Sequence, residues 1–233
     1  MNPKFLPIST VRPDVFHLCM GITKRLLKQL RYMLECQSFD VQEAFNLHLM
    51  EFLTDEQLLI WKLKKPIDSF VGGELNFFSK NAASLAVWAE KQKLVSSTNQ
   101  DWTNMAAALK LWVKIHEFVT KAKIEEGDDY KEEIKEFEVL VKQFYEYSRT
   151  TFFASKAGAI GSMKTSYMHI LRYNLATLAR ITFERHKVGI GVFTLQGYER
   201  RNKESKNIFL IHCNMKGNLC EQTMKGLTQQ YDE

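Results

Sequence analysis

Three of the four prolines in this 233-residue chain lie in its first thirteen residues (Pro3, Pro7, Pro13), and after them only Pro66 remains. Proline removes a backbone donor and clashes with the preceding helical turn. Beyond Pro13, almost nothing in the chain forbids helix, and the apolar spacing uses that freedom. Residues 1–11 read as an extended lead-in. From Pro13 to about Cys36, the residues Val15, Cys19, Ile22, Leu26, Leu30 and Met33 recur every three or four positions, which predicts one buried helical face. Pro13 suits a first helical turn. Gly21 sits inside this helix at a cost of about 1 kcal/mol, so it needs a reason.

Further helices follow at about 40–50 and after Thr54. There the sequence TDEQ places Gln57 three residues beyond a capping threonine, and the helix ends before Pro66. Gly72-Gly73 is expected to break the chain. Residues 74–95 then read as helix, Ser96–Gln100 as a polar loop, and 101–125 as a helix with Trp102, Met105, Leu109, Trp112, His116 and Val119 in step. A helix over 129–154 carries Ile134, Phe137, Val141, Phe144 and Ser148 on one seam. Ala157–Ser162 reads as a loop, and helix 163–186 follows, with Met168, Leu171, Leu175, Leu178 and Thr182 aligned. The segment VGIGVFTL (188–195) fits a brief strand or a structured loop. A charged helix is expected over about 196–212, with a weakly helical tail from 218. The expected fold is a mainly α, bundle-like multi-helix array with at most one or two short strands. There is no strand–helix alternation of the kind a parallel α/β sheet requires.

Composition narrows the class further. At 45% hydrophobic and 25% charged, the chain is not a disordered, collagenous or disulfide-dense sequence. The formal net charge of +5 permits contact with nucleic-acid phosphates without requiring it. Cys19, Cys36, Cys213 and Cys220 form no CxxC pair, so reduced thiols in an intracellular setting are expected. No apolar run approaches the roughly 18–20 residues of a membrane span, and the N-terminus shows no cleavable signal. The phosphate-binding glycine loops, the nucleophile elbow and the HExxH zinc motif do not occur.

Three segments carry the chemistry worth weighing. In GVFTLQGYERRNKESKNIF (191–209), Glu199 is followed by Arg200, Arg201, Lys203 and Lys206. One reading pairs Glu199 with Lys203 on a solvated helical face. The other makes Glu199 a metal-binding carboxylate beside cations that touch DNA phosphates. Two-metal phosphoryl transfer needs several converging acidic oxygens, so one carboxylate is insufficient. In TSYMHILRYN (165–174), His169 would need a partner to hold zinc, and Tyr173 and Asn174 are poor zinc ligands. In PDVFHLCMG (13–21), Asp14 or His17 is a candidate. Asp14 in the first turn of a helix is also simply favoured by the macrodipole. His212, Cys213 and Cys220 fit no zinc spacing, and the four tryptophans supply packing bulk.

In this order, the three segments resemble the C-terminal part of the catalytic core of Transib-type transposases and the V(D)J recombinase catalytic subunit. That family has an RNase H-like fold interrupted by a long helical insertion. Two aspartates and a glutamate there hold divalent metal that cleaves DNA. Its G-x-E-x-x-N-K motif corresponds here to Gly197, Glu199, Asn202 and Lys203. Its D-x-x-H-x-x-x-G motif corresponds to Asp14, His17 and Gly21. The first histidine of its zinc site corresponds to His169, but the second position is Asn174, so zinc is not expected. Neither catalytic aspartate nor the zinc cysteine pair has a match.

The resemblance implies a lead-in over 1–12 and a helical insertion-like domain over 13–160. The end of an incomplete RNase H-like core would span 161–215, and a tail 216–233. It implies a nuclear, transposon-derived, DNA-associated protein that is catalytically incomplete alone and has no membrane association. Glu199 is its candidate catalytic and Mg²⁺- or Mn²⁺-binding residue. Arg200, Arg201, Lys203 and Lys206 are its candidate nucleic-acid contacts, and His169 marks a remnant zinc position. No cofactor is expected in isolation. The expected partners are DNA, a second copy of the chain, or a transposase or recombinase subunit, and the missing carboxylates would come from a longer parent chain or another subunit. An active endonuclease or transposase subunit would require those upstream carboxylates. The alternative from another class is a helical protein-interaction module with no nucleic-acid role.

Overall fold

The computed structural model describes residues 14–63, 69–153 and 166–193. The chain divides into two units, Met1–Phe193 and Thr194–Glu233, and all described residues belong to the first. The protein is mainly α-helical, and no strand occurs among the described residues. Its helices are α1 (Val15–Glu35), α2 (Phe39–Met50), α3 (Asp55–Lys62), α4 (Gly72–Lys91), α5 (Gln100–Thr120), α6 (Tyr130–Phe153), α7 (Ser166–His169) and α8 (Leu175–His186). A π-helical turn, Ile170–Asn174, joins α7 to α8, and a 3₁₀ turn, Ile190–Phe193, follows.

Helix α5 is the central post. It packs against α4 on one side and α6 on the other, and α1 lies across α4 and α5. The apolar seams read from the sequence are the ones that bury. Val15, Ile22, Leu26 and Leu30 of α1 are at most 1% exposed. Ile134, Phe137, Val141, Phe144 and Ser148 of α6 are buried, as are Met168, Leu171, Leu175, Leu178 and Thr182. Aromatic rings join the layers. Trp112 lies against Phe144 at 5.7 Å between centroids, and Phe118 stacks on Phe137 at 4.2 Å. Phe118 also stacks on Tyr130, which touches Phe183 of α8. Aromatic pairs of this kind add about 0.5–1.5 kcal/mol beyond area burial.

One polar thread crosses this core. The Trp112 indole N–H donates to Thr23 Oγ1 at 3.2 Å, and Thr23 and Ser79 hydroxyls lie 2.6 Å apart. Ser79 Oγ donates to Leu75 O at 2.9 Å. Because that bond uses the Ser79 proton, Thr23 is the donor to Ser79. The thread ties α5 to α1 to α4 with each hydroxyl proton directed to an acceptor, which is the condition for burying polar groups cheaply.

Helix ends show local chemistry. Asp14 is itself the N-cap of α1, accepting from Phe16 N at 3.0 Å, one position before the first turn where it was expected. The Thr54–Gln57 capping box forms as read, with both reciprocal bonds present. Gly72-Gly73, expected as a break, instead opens α4. Glu74 Oε2 accepts from Val71 N at 3.0 Å, and a Cβ on Gly72 would press on the Phe16 ring. Helix α5 stops at Thr120 rather than 125. Lys121 turns extended (ψ 111°), and the carbonyls of Lys121 and Ala122 accept from the amides of Gly191 and Gly189 at 3.0 and 2.9 Å. VGIGVF is thus a structured loop clasped to the end of α5. Its glycines allow the approach, since a Cβ on Gly191 would lie 2.5 Å from Thr120 C. Residues 1–13, the 157–162 loop, the expected helix over 196–212 and the tail lie outside the described residues.

Candidate functional site

Two of the three segments singled out in the sequence meet in space. Gly21, on the inner part of α1, faces the ring of Tyr167 in α7, and α1 and α7 pack together there. The third segment begins at the clasp. Its Gly191–Phe193 portion belongs to the 3₁₀ turn, which packs on α1 and α5. Glu199, Arg200, Arg201, Lys203 and Lys206, with Gly197 and Asn202, lie outside the described residues.

At the N-terminal end of α1, the two carboxylate oxygens of Asp14 are already engaged. One accepts from Phe16 N, and the other meets His17 Nδ1. Asp14 is partly buried and His17 partly exposed. This is a capping carboxylate holding a histidine, and it presents no open ligand pair to a cation.

His169 is exposed at the end of α7 and pairs with the ring of Tyr173, 5.0 Å away. No group of three or more His, Cys, Asp or Glu side chains suited to a metal occurs among the described residues. The described residues therefore do not fit a metal centre around His169 or Asp14.

Around His169 the structure assembles something else. The chain widens into the π turn Ile170–Asn174, closed by the Leu175 amide donating to Ile170 O. Such turns are rare and recur at functional sites. Arg172 of this turn lays its guanidinium over Tyr145 of α6, 3.5 Å from the ring centroid, and 5.0 Å from the centroid of Tyr173. Tyr173 is 58% exposed. Arg172 and Tyr145 belong to no functional motif in the sequence. The only local signal was a cation flanked by aromatics in YMHILRYN, and the pairing with Tyr145 crosses between helices.

Comparison with protein families, curated proteins and solved structures finds no match for this chain.

The titratable groups most displaced from their ordinary values are core residues. His116 is 2% exposed, and burial, with the nearby Lys80 charge, lowers its pKa to about 4. It is neutral at physiological pH and packs beside Trp112. The Cys19 thiol is pushed up to about 12 by burial and then by the Asp14 carboxylate, so it is an inert core thiol. No helix among the described residues is long and apolar enough to cross a membrane.

Proposed function

We propose that this protein is a transposon-derived, nuclear, DNA-associated helical protein resembling the C-terminal part of a DNA transposase or recombinase, and that it is catalytically incomplete alone. The observation that carries the reading is the ordered set PDVFHLCMG, YMHILRYN and FTLQGYERRNK. It is supported by the Gly21–Tyr167 contact, through which the first two segments adjoin.

In this reading Glu199 is one carboxylate of a Mg²⁺- or Mn²⁺-holding set, and Arg200, Arg201, Lys203 and Lys206 neutralise phosphates. Octahedral Mg²⁺ needs several oxygen ligands. The companion carboxylates would come from a longer parent chain or another subunit. The resident chemistry of the present chain is then binding. Duplex DNA should be held at low salt and released steeply as salt rises, with log affinity falling by about 0.9 per neutralised phosphate for each decade of salt. Absence of binding at low ionic strength would sink the reading. Robust metal-dependent nicking lost in Glu199→Ala would show that the site is complete after all.

A second reading, a helical protein-interaction module with no nucleic-acid role, is favoured by one observation. Phe39, Leu47 and Met50 of α2 and Leu59 and Leu63 at the end of α3 are all more than half exposed. Exposed apolar groups mark a contact surface where they form one contiguous patch. Salt-insensitive self-association without DNA binding would decide for it.

A further inference from the structure

Arg172, like Lys187 over Phe183, is held by aromatic rings, whereas other cations of the described unit are held by carboxylates. Lys110 is matched by Glu90, Lys121 by Asp128 and Glu133, Lys135 by Glu132, and Arg180 by Glu138. Arg172 has aromatic partners only, and no carboxylate among the described residues pairs with it. Glu138, on the same face of α6 as Tyr145, is taken by Arg180 at 2.8 Å. A guanidinium placed over tyrosine rings is held at its face, and that contact uses none of its N–H donors, which lie in its plane. Those donors fit the paired oxygens of a phosphate. Beside them stands the Tyr173 ring, 58% exposed, with the exposed His169 ring 5.0 Å away. A guanidinium without a carboxylate partner next to an exposed aromatic ring is an arrangement that can hold an unpaired nucleotide, with the phosphate on the cation and the base on the ring.

We propose that the Tyr145–Arg172–Tyr173 stack with His169 beside it is a contact for single-stranded nucleic acid. The edge of Arg172 takes a backbone phosphate, and Tyr173 stacks on the neighbouring unpaired base. The proposal rests on the DNA-associated reading and deepens it by naming the form of nucleic acid that the stack takes. An acidic peptide would also satisfy the guanidinium but gives the open Tyr173 face no planar partner.

The test uses the full chain with labelled oligothymidylate and with a duplex of the same length. Tyr173→Ala, at an exposed position where folding is not at stake, should weaken oligothymidylate binding about 5- to 150-fold, the effect of one lost base stack. Tyr173→Phe should retain it, and duplex binding should stay within about twofold. On an oligomer whose bases have been removed, the wild type and Tyr173→Ala should bind alike. Arg172→Ala should reduce the salt slope on single strands by about 0.7, one phosphate. Equal oligothymidylate binding by the wild type and Tyr173→Ala overturns the inference, and continued duplex binding in that case leaves the broader DNA reading standing. Competition by polyglutamate as effective as oligothymidylate, charge for charge, also overturns it. Failure of the wild type to bind either DNA at low salt removes both.

Discussion

Gly21 in α1 is held against the ring of Tyr167 so closely that a methyl carbon built on it would lie 2.5 Å from Cε2 and 3.1 Å from Cγ of that ring. The contact explains a glycine in the middle of a long helix, where alanine would otherwise be preferred by about 1 kcal/mol. Gly21→Ala should therefore destabilise the protein by about 1–3 kcal/mol through overpacking, despite the better helix former. In a Tyr167→Ala background the sign should reverse, and Gly21→Ala should stabilise. A double-mutant cycle by urea unfolding measures this coupling. Additive effects would mean that ring and glycine are energetically independent.

Thr23 both accepts from Trp112 and donates to Ser79 inside a closed core. Replacing it with the isosteric valine leaves a buried indole N–H without its acceptor and the Ser79 oxygen without its donor. Thr23→Val should cost about 1–3 kcal/mol, while Thr23→Ser keeps both bonds and should cost less. A Thr23→Val protein as stable as wild type in chemical denaturation would show that the thread contributes nothing.

His116 gives the fold an acid-sensitive point. Its folded pKa of about 4 lies below the ordinary 6.5. Between those values the unfolded chain binds a proton that the folded chain refuses. Stability contributed by the neutral ring is intact above pH 6.5 and declines as pH falls towards 4, by roughly 3 kcal/mol in total. His116→Leu removes the titration and should flatten the stability profile across this window. Parallel profiles for the two proteins from pH 7 to 4.5 would contradict the assignment.

The two described thiols differ in accessibility and in acidity. Cys36 is exposed, whereas Cys19 is 5% exposed with its thiol near 12. At pH 8 a thiol of that acidity is ionised on the order of one part in ten thousand. Maleimide should modify Cys36 in the native protein and reach Cys19 only in denaturant, as peptide mapping by mass spectrometry would report. Rapid native labelling of Cys19 would mean that α1 opens far more readily than its packing implies.

The sequence made the seams of α1, α6 and α8 legible because each repeats one chemical choice every three or four residues. The Thr54–Gln57 box was legible because its partners are three positions apart. Gly72-Gly73 misled for a different reason. Its Glu74–Val71 bond also spans three positions, but Val71 offers no capping side chain to mark the start, and the Phe16 ring that requires glycine at 72 comes from another helix. The apolar rhythm of α5 ran on to 125, but the chain leaves the helix at Lys121, where carbonyls find partners from residues 189–191. At the candidate site, His169 stood out by residue type. Arg172 became informative only once Tyr145 was seen to arrive from another helix. The Glu199 segment lies outside the described residues, so its role rests on the motif and on the binding and nicking measurements above.

The clasp of Gly189 and Gly191 on Ala122 and Lys121 has a temporal side. Helices α4, α5 and α6 follow one another through short turns, so their mutual packing closes small loops and forms early. The two carbonyls just past α5, of Lys121 and Ala122, then wait for their backbone partners until a stretch synthesised much later arrives to claim them. Amide exchange at Gly189 and Gly191 would consequently time the closing of this clasp, and a ribosome-bound chain halted before residue 189 should leave residues 121–122 unclasped.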